Sequence, residues 1–220
     1  MLEAHAHNHL KLLLEGEVDI WPHNLTLSRL VARSLRRRDK SLIQFPIGSQ
    51  ELWWPGVLIP LCFKDADAVL VLSSKNRRRL FQYELPRLKK KGFNLSLWEG
   101  SQPPSGKQVW LLDHNSLVKA FKDGNLAEKQ LIIPEAELFC RRLRNALSLE
   151  ITHLDWEQLR RAHPVVDIAL LEIYQRLTRR LFDYAPCEDA QVAIYKGEAA
   201  SLFDLLGLFS SLPVPWNEVF

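Results

Sequence analysis

Glu135 and Glu137 follow a short apolar run in Leu131–Glu137, LIIPEAE. Carboxylates just past the end of a buried strand stand where α/β sheets gather their ligand-binding and catalytic groups. Pro134 ends that run, because proline has no N–H for a sheet ladder. The two acids also suit the first turn of a helix, where negative charge favours the dipole. Asp113–His114 closes a second apolar run, VWLL, in the same manner. No GxSxG occurs, so a Ser/His/Asp hydrolase lacks its nucleophile turn. His5, His7 and His9 form HAHNH. On a helix, His5 and His9 share a face and can hold zinc if a third ligand arrives; otherwise they form a loose surface cluster. Cys62, Cys140 and Cys187 are far apart and form no CxxC, so neither a disulfide framework nor a cysteine metal site is encoded. Trp53 and Trp54 are adjacent. On a strand they face opposite ways, one toward the core and one free to stack on a base or partner; core packing of the pair is the plainer alternative.

The charge balance points toward a polyanion for part of the chain. Over 220 residues the net charge is +3, yet residues 183–220 hold six acids and one base. The remainder carries 28 bases against 20 acids. Basic clusters occur at Arg36–Arg38, Arg77–Arg79, Lys89–Lys91 and Arg141–Arg144 (RRLR). Any single cluster reads first as a solvated surface; together they suit a nucleic-acid contact. The apolar fraction of 47% is ample for a core. No apolar run approaches the roughly 20 residues of a spanning helix, and the start lacks a basic, then apolar, secretory pattern. A cytoplasmic protein without membrane contact is expected.

These groups need elements to position them. Residues 2–14 read as a short helix. WPHNLTLSRLVARSLRRRDK gives an amphipathic helix, with Leu27, Leu30, Val31 and Leu35 on one stripe and Asn24 or Thr26 as cap. SLIQFPI (41–47) reads as a buried strand. GSQELWWPGVLIPLCF is ambiguous, since Pro55, Gly56 and Pro60 oppose one continuous helix. DADAVLVLSS (65–74), FNLSLWE (93–99), KQVWLLD (107–113) and EKQLII (128–133) read as strands. SKNRRRLFQYELPRLKKKG and HNSLVKAFKDG read as helices, with Pro86 bending or ending the first and Gly92 capping it. From Glu135 the chain reads helical, with Pro164 opening a long helix, a loop around APCEDA and a last helix near 198–209. Strands alternating with helices imply a parallel sheet flanked by helices over residues 1–140, followed by a smaller all-helical unit over 141–220.

In this order the segments resemble the first motor domain of a superfamily 2 DNA helicase of the DinG/XPD type. The counterparts are TLSRLVARSLRRRDKSLIQF, DAVLVLSSKNRRRLFQYELPRL, VWLLDHNSLVKAF and LIIPEAELF. The resemblance implies a RecA-like (P-loop NTPase-like) α/β fold. Residues 141–220 then look like part of the helical domain that the family inserts. It also implies contacts from Ser73, Ser74, Lys75, Arg77 and Arg78 to a single-stranded nucleic acid, DNA in that family.

The departures from that family concern its chemistry. A nucleotide loop needs GxxxxGK[ST], and PIGSQELWWP (46–55) holds only Gly48. By register, Glu51 falls where the lysine belongs and Leu52 where the hydroxyl belongs. Unit charges at ~4 Å interact by about 4 kcal/mol at an effective dielectric near 20, so reversing that sign removes the main attraction for a triphosphate. Pro134 replaces the magnesium carboxylate, Glu135 is the remnant acidic position, and Glu137 stands where the family has histidine. Only Cys62 lies between the two motifs, where iron–sulfur relatives carry four cysteines. The expectation is a helicase-like nucleic-acid-binding module without ATPase activity, metal or iron–sulfur cluster, ATP and magnesium entering only if the degenerate site still works. The alternatives are a protein-interaction scaffold that kept the fold, or one part of a longer ATP-dependent helicase that needs a second motor domain.

Overall fold

AVLV and VWLL form neighbouring strands with every side chain buried. They lie at the centre of the computed structural model, which describes residues 2–17, 21–44, 52–64, 67–179, 194 and 197–218. The chain divides into two compact units, Met1–Leu147 and Ser148–Phe220. Residue 140 falls inside a helix of the first.

The first unit is α/β. Its four strands are β1 (Ala68–Val71), β2 (Leu97–Trp98), β3 (Val109–Leu112) and β4 (Gln130–Ile132). All pair in parallel, in the order β2-β3-β1-β4. Two-sided burial of β1 and β3 explains why they read as continuous apolar runs. Ala68, Leu70 and Leu72 face one core with Val109 and Leu111. Val69 and Val71 face the other with Trp110 and Leu112. Helices cover both faces. Helices α1 (Leu2–Leu14), α2 (Asn24–Arg37) and α3 (Trp54–Cys62) supply most of the first core. Leu117 and Ala120 of α6 (His114–Lys122) and the partly buried Phe139 and Leu143 of α7 (Ala136–Leu147) pack on the second.

Three local expectations change. The strand over 41–47 is not formed in its described part: Ser41–Gln44 is irregular and Leu42 is 83% exposed. Residues 45–47 lie outside the described residues. A parallel strand needs a ladder partner, and among the described residues β4 pairs only with β1. The ambiguous tryptophan stretch contains α3, which starts at Trp54 and includes both Pro55 and Pro60. Pro55 falls in the first turn, where a missing N–H breaks no helical bond. Nearly every α3 side chain is buried, so packing overrides weak propensity. Asn24 does not cap its own helix. It is 1% exposed, donates Nδ2 to the Leu52 carbonyl (2.9 Å) and accepts at Oδ1 from the Gly56 N–H (3.2 Å), so it clasps the start of α3.

Pro86 does not end its helix. The segment runs as α4 (Ser74–Arg79), a π-helical turn over Leu80–Glu84, and α5 (Leu85–Lys90). The Leu85 N–H reaches back five residues to the Leu80 carbonyl. Widening the turn just before Pro86 accommodates a residue that cannot donate. Gly92 follows at φ 82°, the left-handed conformation expected past a helix end. Glu84 in the π turn is buried and pairs with Arg79 at 3.1 Å and Arg87 at 3.6 Å. Arg87 in turn holds Glu17 with Nε at 2.9 Å. This charge chain fixes the helix against the segment that follows α1.

The second unit is helical: α8 (His153–Ala162), a 3-10 turn at Pro164–Val166, α9 (Asp167–Thr178) and α10 (Ala200–Leu206). Pro164 opens the 3-10 turn that leads into α9. Thr152 caps α8 in a reciprocal box with Asp155. Trp216 is 1% exposed, meets Trp156 edge-on at 4.7 Å and donates to the Asp155 carbonyl at 2.9 Å. It anchors the chain end to a core of Leu159, Leu170, Leu177, Leu202 and Leu206. APCEDA lies outside the described residues.

Candidate nucleic-acid interface

Three of the sheet's strands deliver polar side chains at their carboxyl ends, the usual ligand edge of a parallel sheet. After β1, Ser73 adopts an extended backbone and caps α4, accepting from the Asn76 N–H at 3.4 Å. After β3, Asp113 caps α6, accepting from the Ser116 N–H at 2.8 Å. After β4 come Pro134 and Glu135. The Ser73 hydroxyl donates to Glu135 Oε2 at 2.7 Å. Arg142, two turns into α7, donates Nη1 to Oε2 and Nη2 to Oε1, the latter at 2.9 Å. The fork suits a carboxylate and fixes both oxygens.

These contacts set the charge states. Burial pushes the Glu135 carboxyl up, but the bonds from Arg142, Ser73 and Asn76 together outweigh it and hold it below the ordinary carboxylate range. It is ionised and fully engaged. His114 is held below its usual range, first by burial and then by the Arg142 charge, so its imidazole is neutral at pH 7. Pro134 offers no side-chain oxygen, and both Glu135 oxygens already accept from protein donors. The group at the end of β4 is a latch between a strand end and α7.

Beside the latch lies an open cleft of about 290 Å³ lined by Ser74, Arg77, Arg78, Phe81 and Asp113. Arg77 is braced by Glu99 at 2.8 Å. Arg78 is exposed, and Phe81 keeps 40% of its surface open. Two guanidinium groups and an accessible ring suit a nucleic acid, whose backbone is anionic and whose bases stack.

The predicted site residues thus separate. Ser74, Arg77 and Arg78 meet in the cleft. Ser73 faces inward, committed to Asn76 and Glu135. Lys75 is exposed on the same helix, outside the cleft lining. Of the nucleotide-site remnants, Gly48 and Glu51 lie outside the described residues. Leu52 precedes α3, and its carbonyl is held by Asn24.

The other constellations are occupied by packing. Trp53 and Trp54 are both buried and stack at 4.5 Å, so neither is open to a base. His5 and His9 stack at 6.2 Å, and His9 stacks on Phe63 at 4.6 Å. Among the described residues no group of three or more His, Cys, Asp or Glu gathers as metal ligands. Burial pushes the Cys62 thiol up to about 12, so it stays protonated. Arg36 pairs with Glu3 at 2.8 Å, Arg37 with Asp39 at 3.4 Å and Arg38 with Asp67 at 3.1 Å, so that cluster is matched by carboxylates of this chain. Among the described residues no helix is long and apolar enough to cross a membrane.

Asn76, Phe81, Glu99 and Arg142 are site residues that sequence reasoning missed. Arg142 had a signal, since it lies seven residues after Glu135 and two helical turns return it to the same face. Phe81 and Glu99 had none, because a π turn sets the exposure of one and the pairing of β2 with β3 places the other. Comparison with protein-family models, with curated proteins and with solved structures finds no match to this chain.

Proposed function

We propose that this chain is a helicase-like module that binds single-stranded nucleic acid through the carboxyl edge of its sheet and does not hydrolyse ATP. On this reading the first unit is a RecA-like motor domain of the DinG/XPD type whose nucleotide chemistry has been lost. The observation that carries the binding half is the convergence of Ser74, Arg77, Arg78 and Phe81 on one open cleft. Those residues come from the segment in which the sequence resemblance places backbone contacts. The ATPase half rests on Glu135. A carboxylate that must orient water beside a metal needs a free oxygen, and here Arg142 and Ser73 take both. Pro134 adds no ligand for magnesium.

Phosphate contacts predict binding without strong dependence on overall sequence, and a steep fall with salt. The test is fluorescence polarisation with a labelled 20-nucleotide single strand at low and moderate salt, beside a coupled ATPase assay. Binding that weakens with salt, without nucleotide turnover, is expected. Absence of binding at low salt overturns the binding half. Turnover abolished by Glu135→Gln overturns the other.

A further inference from the structure

The cleft contains a group that phosphate binding does not call for. Asp113 lines it together with Arg77 and Arg78. A carboxylate repels phosphate, and one next to a backbone-binding surface weakens that surface. Its capping role accounts for only one oxygen, Oδ1, which accepts from the Ser116 N–H. The cleft therefore presents three kinds of group: a cation in Arg78 beside the Glu99-paired Arg77, an open ring in Phe81, and a carboxylate acceptor. A nucleotide presents the matching three: an anionic phosphate, a flat base, and N–H donors on the base edge. At about 290 Å³ the cleft stands at the small end of ligand pockets, the size for one nucleotide and not for a dinucleotide.

Resting on the binding function proposed above, we infer that this cleft reads a single unpaired base, with the base against Phe81, its phosphate on Arg78, and Asp113 accepting from the base edge. Guanine is the base that fits best. Its N1–H and N2 amino group lie side by side and point the same way, so one carboxylate can accept from both. Cytosine and adenine offer an amino group flanked by an acceptor. Thymine and uracil offer one N–H between two carbonyl oxygens, which a carboxylate repels. Stacking on Phe81 requires an unpaired base, because a paired base keeps its own neighbours and its edge is occupied. A guanine nucleotide can reach the cleft within a strand or as free GMP, and the chemistry is shared.

The test uses the full chain and three probes at low salt: an oligo-dT strand, the same strand with one central guanine, and GMP. A bidentate base contact is worth about 1–3 kcal/mol, so the guanine strand should bind roughly five-fold tighter or more. Asp113→Asn keeps a good helix cap while removing the anionic acceptor. It should erase the guanine preference and tighten oligo-dT binding modestly, because a carboxylate that repels phosphate and thymine's carbonyl oxygens is gone. Phe81→Ala should weaken both strands. If the strands fail to bind but GMP binds and Asp113→Asn abolishes it, the base-reading cleft stands with a free nucleotide as its source, and the nucleic-acid function falls. Equal affinity for both strands, or a preference that survives Asp113→Asn, overturns base reading and leaves the nucleic-acid function intact. Failure of all three probes overturns both.

Discussion

Ser73 and Glu135, 62 residues apart in sequence, share a 2.7 Å hydrogen bond across the carboxyl ends of β1 and β4. Through Glu135 that bond continues to Arg142 and so to α7. Helix α7 has no fully buried residue: it packs beside α6, Phe139 and Leu143 rest on the core below, and the latch adds a polar tie to the strand ends.

Removing either end of the latch should destabilise the chain. Arg142→Met and Glu135→Gln are each expected to cost about 1.5–3 kcal/mol at neutral pH, the range for hydrogen bonds to charged groups. In a double-mutant cycle the two should be strongly non-additive. Additive losses in urea unfolding would separate them.

The same carboxylate gives a pH dependence of known sign. Its folded pKa lies below the unfolded value, so its contribution is present above the unfolded carboxylate range. The contribution fades as pH falls through the folded value. The stability gap between the native chain and Glu135→Gln should be full at pH 7 and shrink from about pH 5 downward. Unfolding midpoints measured at several pH values check this, and a gap that widens in acid contradicts the latch.

Asn24 offers a test of the other core. Asn24→Ala leaves the Leu52 carbonyl without that donor and the Gly56 N–H without that acceptor, an expected loss of about 1–3 kcal/mol. Asn24→Asp keeps an acceptor but places a carboxylate in a site 1% exposed. Burying an unpaired charge is costlier, so this variant should be the less stable of the two at pH 7 and recover in acid, as the carboxyl protonates. Thermal melts at two pH values distinguish the pair.

Neighbouring serines should behave oppositely. Ser73→Ala removes a helix cap and a bond to Glu135, so it should lower stability by about 1 kcal/mol or more and leave strand binding unchanged. Arg78→Glu should leave stability within about 0.5 kcal/mol, as for an ordinary surface change. It should weaken single-strand binding and reduce the salt slope by about 1. Polarisation titrations at three salt concentrations, paired with melts, measure both.

In the second unit, Thr152→Ala should cost about 1 kcal/mol through its cap. Trp216→Ala should cost about 3–5 kcal/mol, since it empties a site 1% exposed and leaves the Asp155 carbonyl without its indole donor. Urea unfolding followed by far-ultraviolet circular dichroism measures both losses.

The sequence by itself determined the elements whose patterns are local. AVLV and VWLL are unbroken apolar runs and became central strands; of the stripe of Leu27, Leu30, Val31 and Leu35, all but Leu30, which is 43% exposed, became the buried face of α2. It also determined that position 134 offers no side-chain oxygen, because that is a matter of residue type alone. Tertiary structure decided what depends on a partner distant in the chain. In sequence, one of Trp53 and Trp54 could be free to stack on a ligand; the fold buries both. Asn24 looks like a cap for its own helix until Gly56 arrives beside it. Glu135 looks like an idle acid past a strand end until Ser73 and Arg142 engage its oxygens. Hydrophobic periodicity is written in neighbouring residues, whereas a hydrogen bond between residues 62 positions apart exists only once the sheet brings two strand ends together.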